Sequence, residues 1–305
     1  MANSKSVQKI WHRRESGLVV FEGTISDLSQ SSSQTYLHIK DKALAIEHLY
    51  EDNDVPLSPT SGLAGLIADA KTLSDSWLIG QVDKHPITLL FHAAHLNRIA
   101  DAILLIVDVS DRARFLEALA SGSLDLLERN RSTAKDVLWE LELWAILKHR
   151  SFDATLEEPP DIVVKFADSK IGIACKKLYS QKHVQNVLSE AVAQIESSFD
   201  FGIVAINIDD LLPANQILKT PTQETMAQYI NDVNTRFLRA HERHFRKYLT
   251  SGRVISALIS TSVLADVYLA STRLNIARQS TVWTIPGLPL EKERQLKNFY
   301  NMLMT

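Results

Sequence analysis

Two short alternating runs carry the groups best placed to do chemistry. The first is Asp161, Ile162, Val163, Val164, Lys165, Phe166. The second is Ile171, Gly172, Ile173, Ala174, Cys175, Lys176. Read as strands, period two puts Asp161, Val163 and Lys165 on one face of the first run. It puts Gly172, Ala174 and Lys176 on one face of the second. A turn over 167–170 pairs Phe166 with Ile171, Val164 with Ile173, Ile162 with Cys175 and Asp161 with Lys176. A carboxylate then stands beside an ammonium, with Cβ atoms ~5 Å apart. Such a pair suits cation binding or acid–base work. Taken alone it is also explained as a cross-strand ion pair worth ~0.5 kcal/mol. The other face, with Ile162, Val164, Ile171, Ile173 and Cys175, is apolar, so the Cys175 thiol is expected in the core.

The flanking elements must hold these strands. Ser132 or Thr133 can cap a helix over about Ala134 to Lys148, with Val137, Leu141, Trp144 and Leu147 or Lys148 as its apolar stripe. A helix over about 181–197 follows the hairpin. Phe201 to Ile208 reads as a strand, Thr222 to Leu249 as a long helix, and Val254 to Thr261 as another strand. Thr281 to Ile285 and a helix from Glu291 end the chain. This order predicts a mixed α/β core. Before it, Gly62 to about His149 is mostly helical. Gly17 to Ile25 can be a strand, Ser29 to Gln34 reads as a loop or hairpin tip, and Asp52 to Ser61 as a linker. We therefore expect a mostly helical region over 1–130 and an α/β domain over 131–305.

Pro160-Asp161, a hairpin and a strand ending in Cys175-Lys176-Lys177 together resemble the PD-(D/E)XK nuclease superfamily. The context agrees: a preceding helix with Trp139-Glu140-Leu141-Glu142-Leu143, a following helix with Glu190 and Gln194, then the strand Gly202-Ile203-Val204-Ala205. The resemblance spans roughly Thr133 to Ile208. It implies a restriction-endonuclease-like mixed sheet flanked by helices, and a metal-dependent endonuclease cutting DNA, of restriction or defence type. One position departs: the family carries Asp or Glu two residues before the lysine, where this chain has Ala174. Asp168-Ser169-Lys170 fits the letters but falls in the turn. Some restriction enzymes of the superfamily carry that acid on the next helix, and Glu190 has comparable spacing from Lys176.

The resemblance implies the following roles. Asp161, Glu190 and Glu140, with the main-chain carbonyl of Cys175, would hold Mg²⁺ or Mn²⁺. Lys176 would orient or help deprotonate the attacking water and stabilise the transition state. Gln194 would position water or phosphate. Glu140, Glu142 and Glu190 each have a plainer reading as solvated helix residues, and Lys177 as a solvated strand end. Gly172 and Ala174, small on the functional face, would admit a helix or a substrate.

On the long helix, Arg236, Arg239, Arg243 and Arg246 share one side. An arginine stripe suits phosphate contacts, and equally a solvated face. His241, His244, His149 and His183 do not make a convergent metal site. No GxGxxG, P-loop, HExxH or GxSxG pattern occurs.

The chain has 305 residues, 45% hydrophobic and 23% charged, with one cysteine and a formal net charge of -3. One cysteine excludes an intrachain disulfide framework and a cysteine-cluster zinc site. The charge excludes an overall basic chain but not a local basic patch. The longest apolar runs, Ala102–Val107 and Val254–Ile259, fall short of the ~20 residues that span a bilayer. A cytoplasmic protein with DNA as partner, no membrane association and a homodimer as one option is the expectation. Two rival readings stand beside it. One is a catalytically degenerate nuclease fold that binds DNA or protein. The other is an unrelated α/β interaction protein.

Overall fold

The computed structural model describes residues 10–13, 19–22, 29–30, 33–81, 84–195, 199–249, 254–270, 274–285 and 287–303. The fold is mixed α/β, with ten strands in one sheet and eight α-helices among these residues. The strands are β1 (Ile10–Arg13), β2 (Val19–Glu22), β3 (Ser29–Gln30), β4 (Asp153–Leu156), β5 (Ile162–Phe166), β6 (Ser169–Lys177), β7 (Phe201–Asn207), β8 (Leu218–Thr220), β9 (Val254–Val267) and β10 (Leu274–Thr284). The helices are α1 (Ser33–Glu51), α2 (Gly62–Leu78), α3 (Ile87–Leu105), α4 (Arg112–Ala120), α5 (Thr133–His149), α6 (Val184–Ile195), α7 (Gln223–Leu249) and α8 (Leu290–Leu303).

The sheet order is β1-β2-β10-β9-β7-β6-β5-β4. β6, β7 and β9 run parallel, and the meander β4-β5-β6 is antiparallel. β9 is long enough for β7 and β8 to follow one another along the same edge.

Alternation along the central strands divides the core in two. Ile162, Val164, Ile171, Ile173, Cys175, Phe201, Ile203 and Ala205 face one cluster, completed by α1 to α5 and α8. Ala174, Val204 and Ile206 face the other, under α6 and α7. This is the side-chain period of a strand buried on both faces. The Cys175 thiol lies in the first cluster, as its parity requires, and burial pushes its pKa up.

Helix α5 is the pivot. It is buried on nearly all sides, because α1 to α4 cover one flank and the sheet the other. The narrow stripe expected from the sequence is therefore too narrow, and Val137 is only half-buried. Trp139 Nε1 donates to the Ala205 carbonyl at 3.1 Å, and Trp144 Nε1 to that of Ala154 at 3.1 Å. Ser132 takes the N-cap position, but its hydroxyl makes no capping bond.

Several sequence expectations need correcting. The segment over 29–34 holds β3 and the start of α1. β4, which has a weak pattern, lies at the sheet edge. Helices α1 to α4 share the largest apolar cluster with α5 and the sheet. The stretch Ile87–Asp108 is long and apolar enough to cross a membrane, though the contiguous runs are short. More than half of it is buried, and α3 packs on α1, α2 and α5.

Candidate functional site

The site is built at the carboxyl ends of the parallel strands β6 and β7, the end where open α/β sheets bind ligands. The β5–β6 hairpin turns on Ala167 and Asp168 alone, with Ala167 at φ 51°. Phe166 pairs with Ser169 and Ile162 with Ile173. The expected register is therefore two residues out. A shift of two preserves parity, so every face assignment survives. It does change the levels: Asp161 comes beside Ala174 rather than Lys176.

Asp161 is buried at the start of β5, 8% exposed. Its Oδ2 accepts the Cys175 amide at 2.5 Å. Burial raises its pKa, while the Lys176 charge and the Cys175 amide pull the other way. Glu140 approaches from α5. Its pKa is pushed up to about 8, first by burial and then by the charge of Asp161, with Lys176 opposing. Glu158 adds negative charge to both. Glu140 and Lys176 make neither a hydrogen bond nor a contact ion pair among the described residues.

Every neighbouring buried charge, by contrast, is matched. Glu142 is 5% exposed and pairs with Arg98 at 2.8 Å and with Arg278. Asp210 lies between Lys177 at 2.8 Å and Lys135 at 3.1 Å. Asp209 accepts the Ser262 amide at 2.5 Å, and nearby lysine and arginine charges oppose the effect of its burial. Tyr179 donates to Asp136 at 2.9 Å. The solvated readings of Glu142 and Lys177 are thus corrected. Both were hidden from the sequence because their partners come from distant elements. One signal was legible: β6 and β7 are adjacent parallel strands, so Lys177 and Asp209-Asp210 must end side by side.

Two proposed site residues do not reach the cluster. Glu190 is exposed. The buried stripe of α6 is Val184, Leu188, Ala191, Val192 and Ile195, and Glu190 projects from the opposite side. It cannot replace the missing acid. Gln194 is half-buried on the flank of α6, and its Oε1 meets no hydrogen-bond partner. The position of the missing acid is filled by packing: Ala174 is fully buried in the apolar cluster with Leu178, Val184 and Leu188. Gly172 is likewise a packing glycine, since an added Cβ would meet the Phe199 ring at 2.9 Å. Asp168 is exposed on the turn, as expected.

Arg236, Arg239 and Arg243 lie exposed along the outer side of α7, without carboxylate partners among the described residues. Arg246 is half-buried and pairs with Glu242 at 2.8 Å. The buried side, with Ile230, Asn234, Phe237, Leu238 and Phe245, packs on β9 and β10. Among the described residues, no three His, Cys, Asp or Glu side chains are grouped to hold a metal ion. His149 and His183 are exposed, and the His241 and His244 rings lie 6.3 Å apart.

Comparison with known proteins finds no matching family model, curated protein or solved structure.

Proposed function

We propose that this chain is a metal-dependent nuclease acting on DNA, with Asp161, Glu140 and Lys176 as its working groups. One observation carries the reading. Two carboxyls whose pKa values burial raises, Glu140 and Asp161, lie within electrostatic reach of Lys176, and neither Glu140 nor Lys176 has a contact partner among the described residues, although other buried charges nearby are paired. Unspent, perturbed charge in a fold of this kind marks a working site more often than a structural one. The order α5-β4-β5-β6-α6-β7, with Glu140, Asp161 and Lys176 on the elements the resemblance requires, supports a restriction-endonuclease-like core.

The donors fit Mg²⁺ or Mn²⁺. Both are hard cations that take oxygen, and Mg²⁺ binds through one or two carboxylates while keeping its waters. Asp161 and Glu140 would hold it with the Cys175 carbonyl. Burial first, and then the Asp161 charge, raise the proton affinity of Glu140, and a bound cation would oppose both effects. When bound, the ion lowers the pKa of water and neutralises phosphoryl charge. The Cys175 amide fixes the Asp161 carboxylate. Lys176 supplies a positive charge for the phosphoryl oxygens and for the attacking water.

The test is incubation of supercoiled plasmid with the protein and Mg²⁺ or Mn²⁺. Nicking that EDTA and Lys176→Ala both abolish is expected. No cutting by the wild type, or equal cutting by Lys176→Ala, overturns the reading.

A second reading is a nuclease-like fold that binds without cutting. The apolar packing of Ala174 favours it, because one acid of the family pattern is lost for good. It predicts salt-sensitive DNA binding that survives Asp161→Ala.

A further inference from the structure

Two clefts share a wall over Leu212, Pro213 and Tyr229. The first, about 470 Å³, lies between the segment 208–213 and one side of α7, with Gln181, Tyr229, Arg236 and Phe237 in its lining. The second, about 280 Å³, includes Arg129, Lys219 and Tyr229. Leu212, Pro213 and the half-buried Tyr229 line both, so the two clefts adjoin, and we treat them together as one groove.

The lining of this groove has a marked charge. No Asp or Glu side chain belongs to either cleft, in a chain whose net charge is -3. Arg236 stands at one end and Lys219 at the other, both exposed. Arg236 Nε donates to the Asp232 carbonyl at 3.3 Å, which sets the direction of its guanidinium. Arg129 is spent on the wall: it donates to the carbonyls of Leu212 at 2.8 Å and Pro213 at 3.1 Å. Arg239 and Arg243 continue the positive line beyond Arg236 along α7.

We infer that this groove binds single-stranded DNA, with bases against Tyr229 and backbone phosphates on Arg236 and Lys219. An apolar channel with an aromatic platform and cations at its margins is what an unpaired strand needs. Each base has a π-face to stack, and each phosphate needs a positive partner. A duplex offers phosphates to the arginine stripe but keeps its bases stacked on one another, so it leaves the channel empty. The groove is also in the right place. Ile208 lines it two residues beyond Ile206, which pairs with Lys176. By strand spacing and rise this is ~8 Å between backbones. A strand lying in the groove therefore passes the end of β6. The inference rests on the nuclease reading for the kind of polymer, and it narrows the substrate to unpaired or unwound DNA.

The experiment is fluorescence anisotropy of a labelled oligodeoxynucleotide, alone and annealed to its complement, in EDTA. Tighter binding of the single strand, by about tenfold or more, is expected. Tyr229→Ala should remove that preference and Tyr229→Trp should keep it. Ala240→Trp, which narrows the first cleft without changing charge, should weaken the single strand alone. Arg236→Glu with Lys219→Glu should weaken it further. Thermal melting identifies any variant that loses its fold, and the exposed charge variants then decide. Equal or tighter duplex binding, no binding of either form, or an unchanged preference in folded Tyr229→Ala overturns the inference. Plasmid nicking without a single-strand preference removes the groove and keeps the nuclease. Single-strand binding without metal-dependent cutting does the reverse.

Discussion

The Asp161 carboxylate reaches across from the start of β5 to accept the Cys175 amide of β6 at 2.5 Å. This bond closes the open end of the hairpin and holds the acid opposite Ala174, within the electrostatic reach of Lys176. Asp161→Asn keeps an acceptor and should leave the fold intact while reducing cleavage by roughly a hundredfold or more. Asp161→Ala orphans a buried amide, and should also cost ~1–3 kcal/mol in urea unfolding. Full cleavage by Asp161→Asn would remove Asp161 from the site.

Glu140 makes stability fall with pH. Its folded pKa of about 8 lies above its ordinary value of 4.5, so the folded state holds a proton that the unfolded state has released. Its contribution is complete below pH 4.5 and is lost as pH rises through 8. Glu140→Gln should flatten the slope of melting temperature across that window. Lys176→Ala should raise the Glu140 pKa further, read by carboxyl NMR titration. An unshifted Glu140 resonance contradicts the desolvated cluster.

His92 gives a second, separable window. Its Nδ1 meets Asp69 Oδ2 at 2.6 Å and its Nε2 lies 3.7 Å from Asp125 Oδ2. The Asp125 and Asp69 carboxylates on its two sides raise its pKa to about 9, against burial. Its stabilising effect is present below pH 6.5 and lost as pH rises through 9. His92→Gln should reduce the slope from pH 6.5 to 9 and leave the Glu140 part below pH 6.5. An unchanged slope from pH 6.5 to 9 would show that the bridge contributes nothing.

An acid placed at position 174, where the superfamily that the sequence resembles carries one, should not raise cutting. Ala174→Glu forces a carboxylate among Leu178, Val184 and Leu188, and should destabilise the protein by roughly 2–4 kcal/mol. Gain of cutting by a stable Ala174→Glu protein contradicts the packing described.

The central hairpin was legible because its alternation is strict on both strands, and its parity withstood a wrong turn length. The turn itself was not legible, since Ala167 gives no sign of a positive φ. Helix α5 was found but its burial was not, because a helix covered on all sides loses the periodicity that marks an amphipathic one. Within the site, Glu140, Asp161 and Lys176 could be read from strand and helix order. Glu190 was excludable from the sequence, since at ~100° per residue it falls ~200° from Leu188, opposite the apolar stripe of α6. The ion pairs of Glu142 and Lys177 depend on contacts between elements far apart in the chain, which local pattern does not carry.

Glu142 links α5 to Arg98 on α3 and to Arg278 on β10. Removing it as Glu142→Ala leaves two arginines buried without their anion, at a cost of about 3–5 kcal/mol. The same link bears on cooperativity. Severing the chain between α4 and α5 would strand Arg98 on one fragment and Glu142 on the other, each with an apolar surface bared. Neither fragment should then melt as a cooperative unit, and the α1–α4 layer and the sheet should exchange their slowest amide protons together.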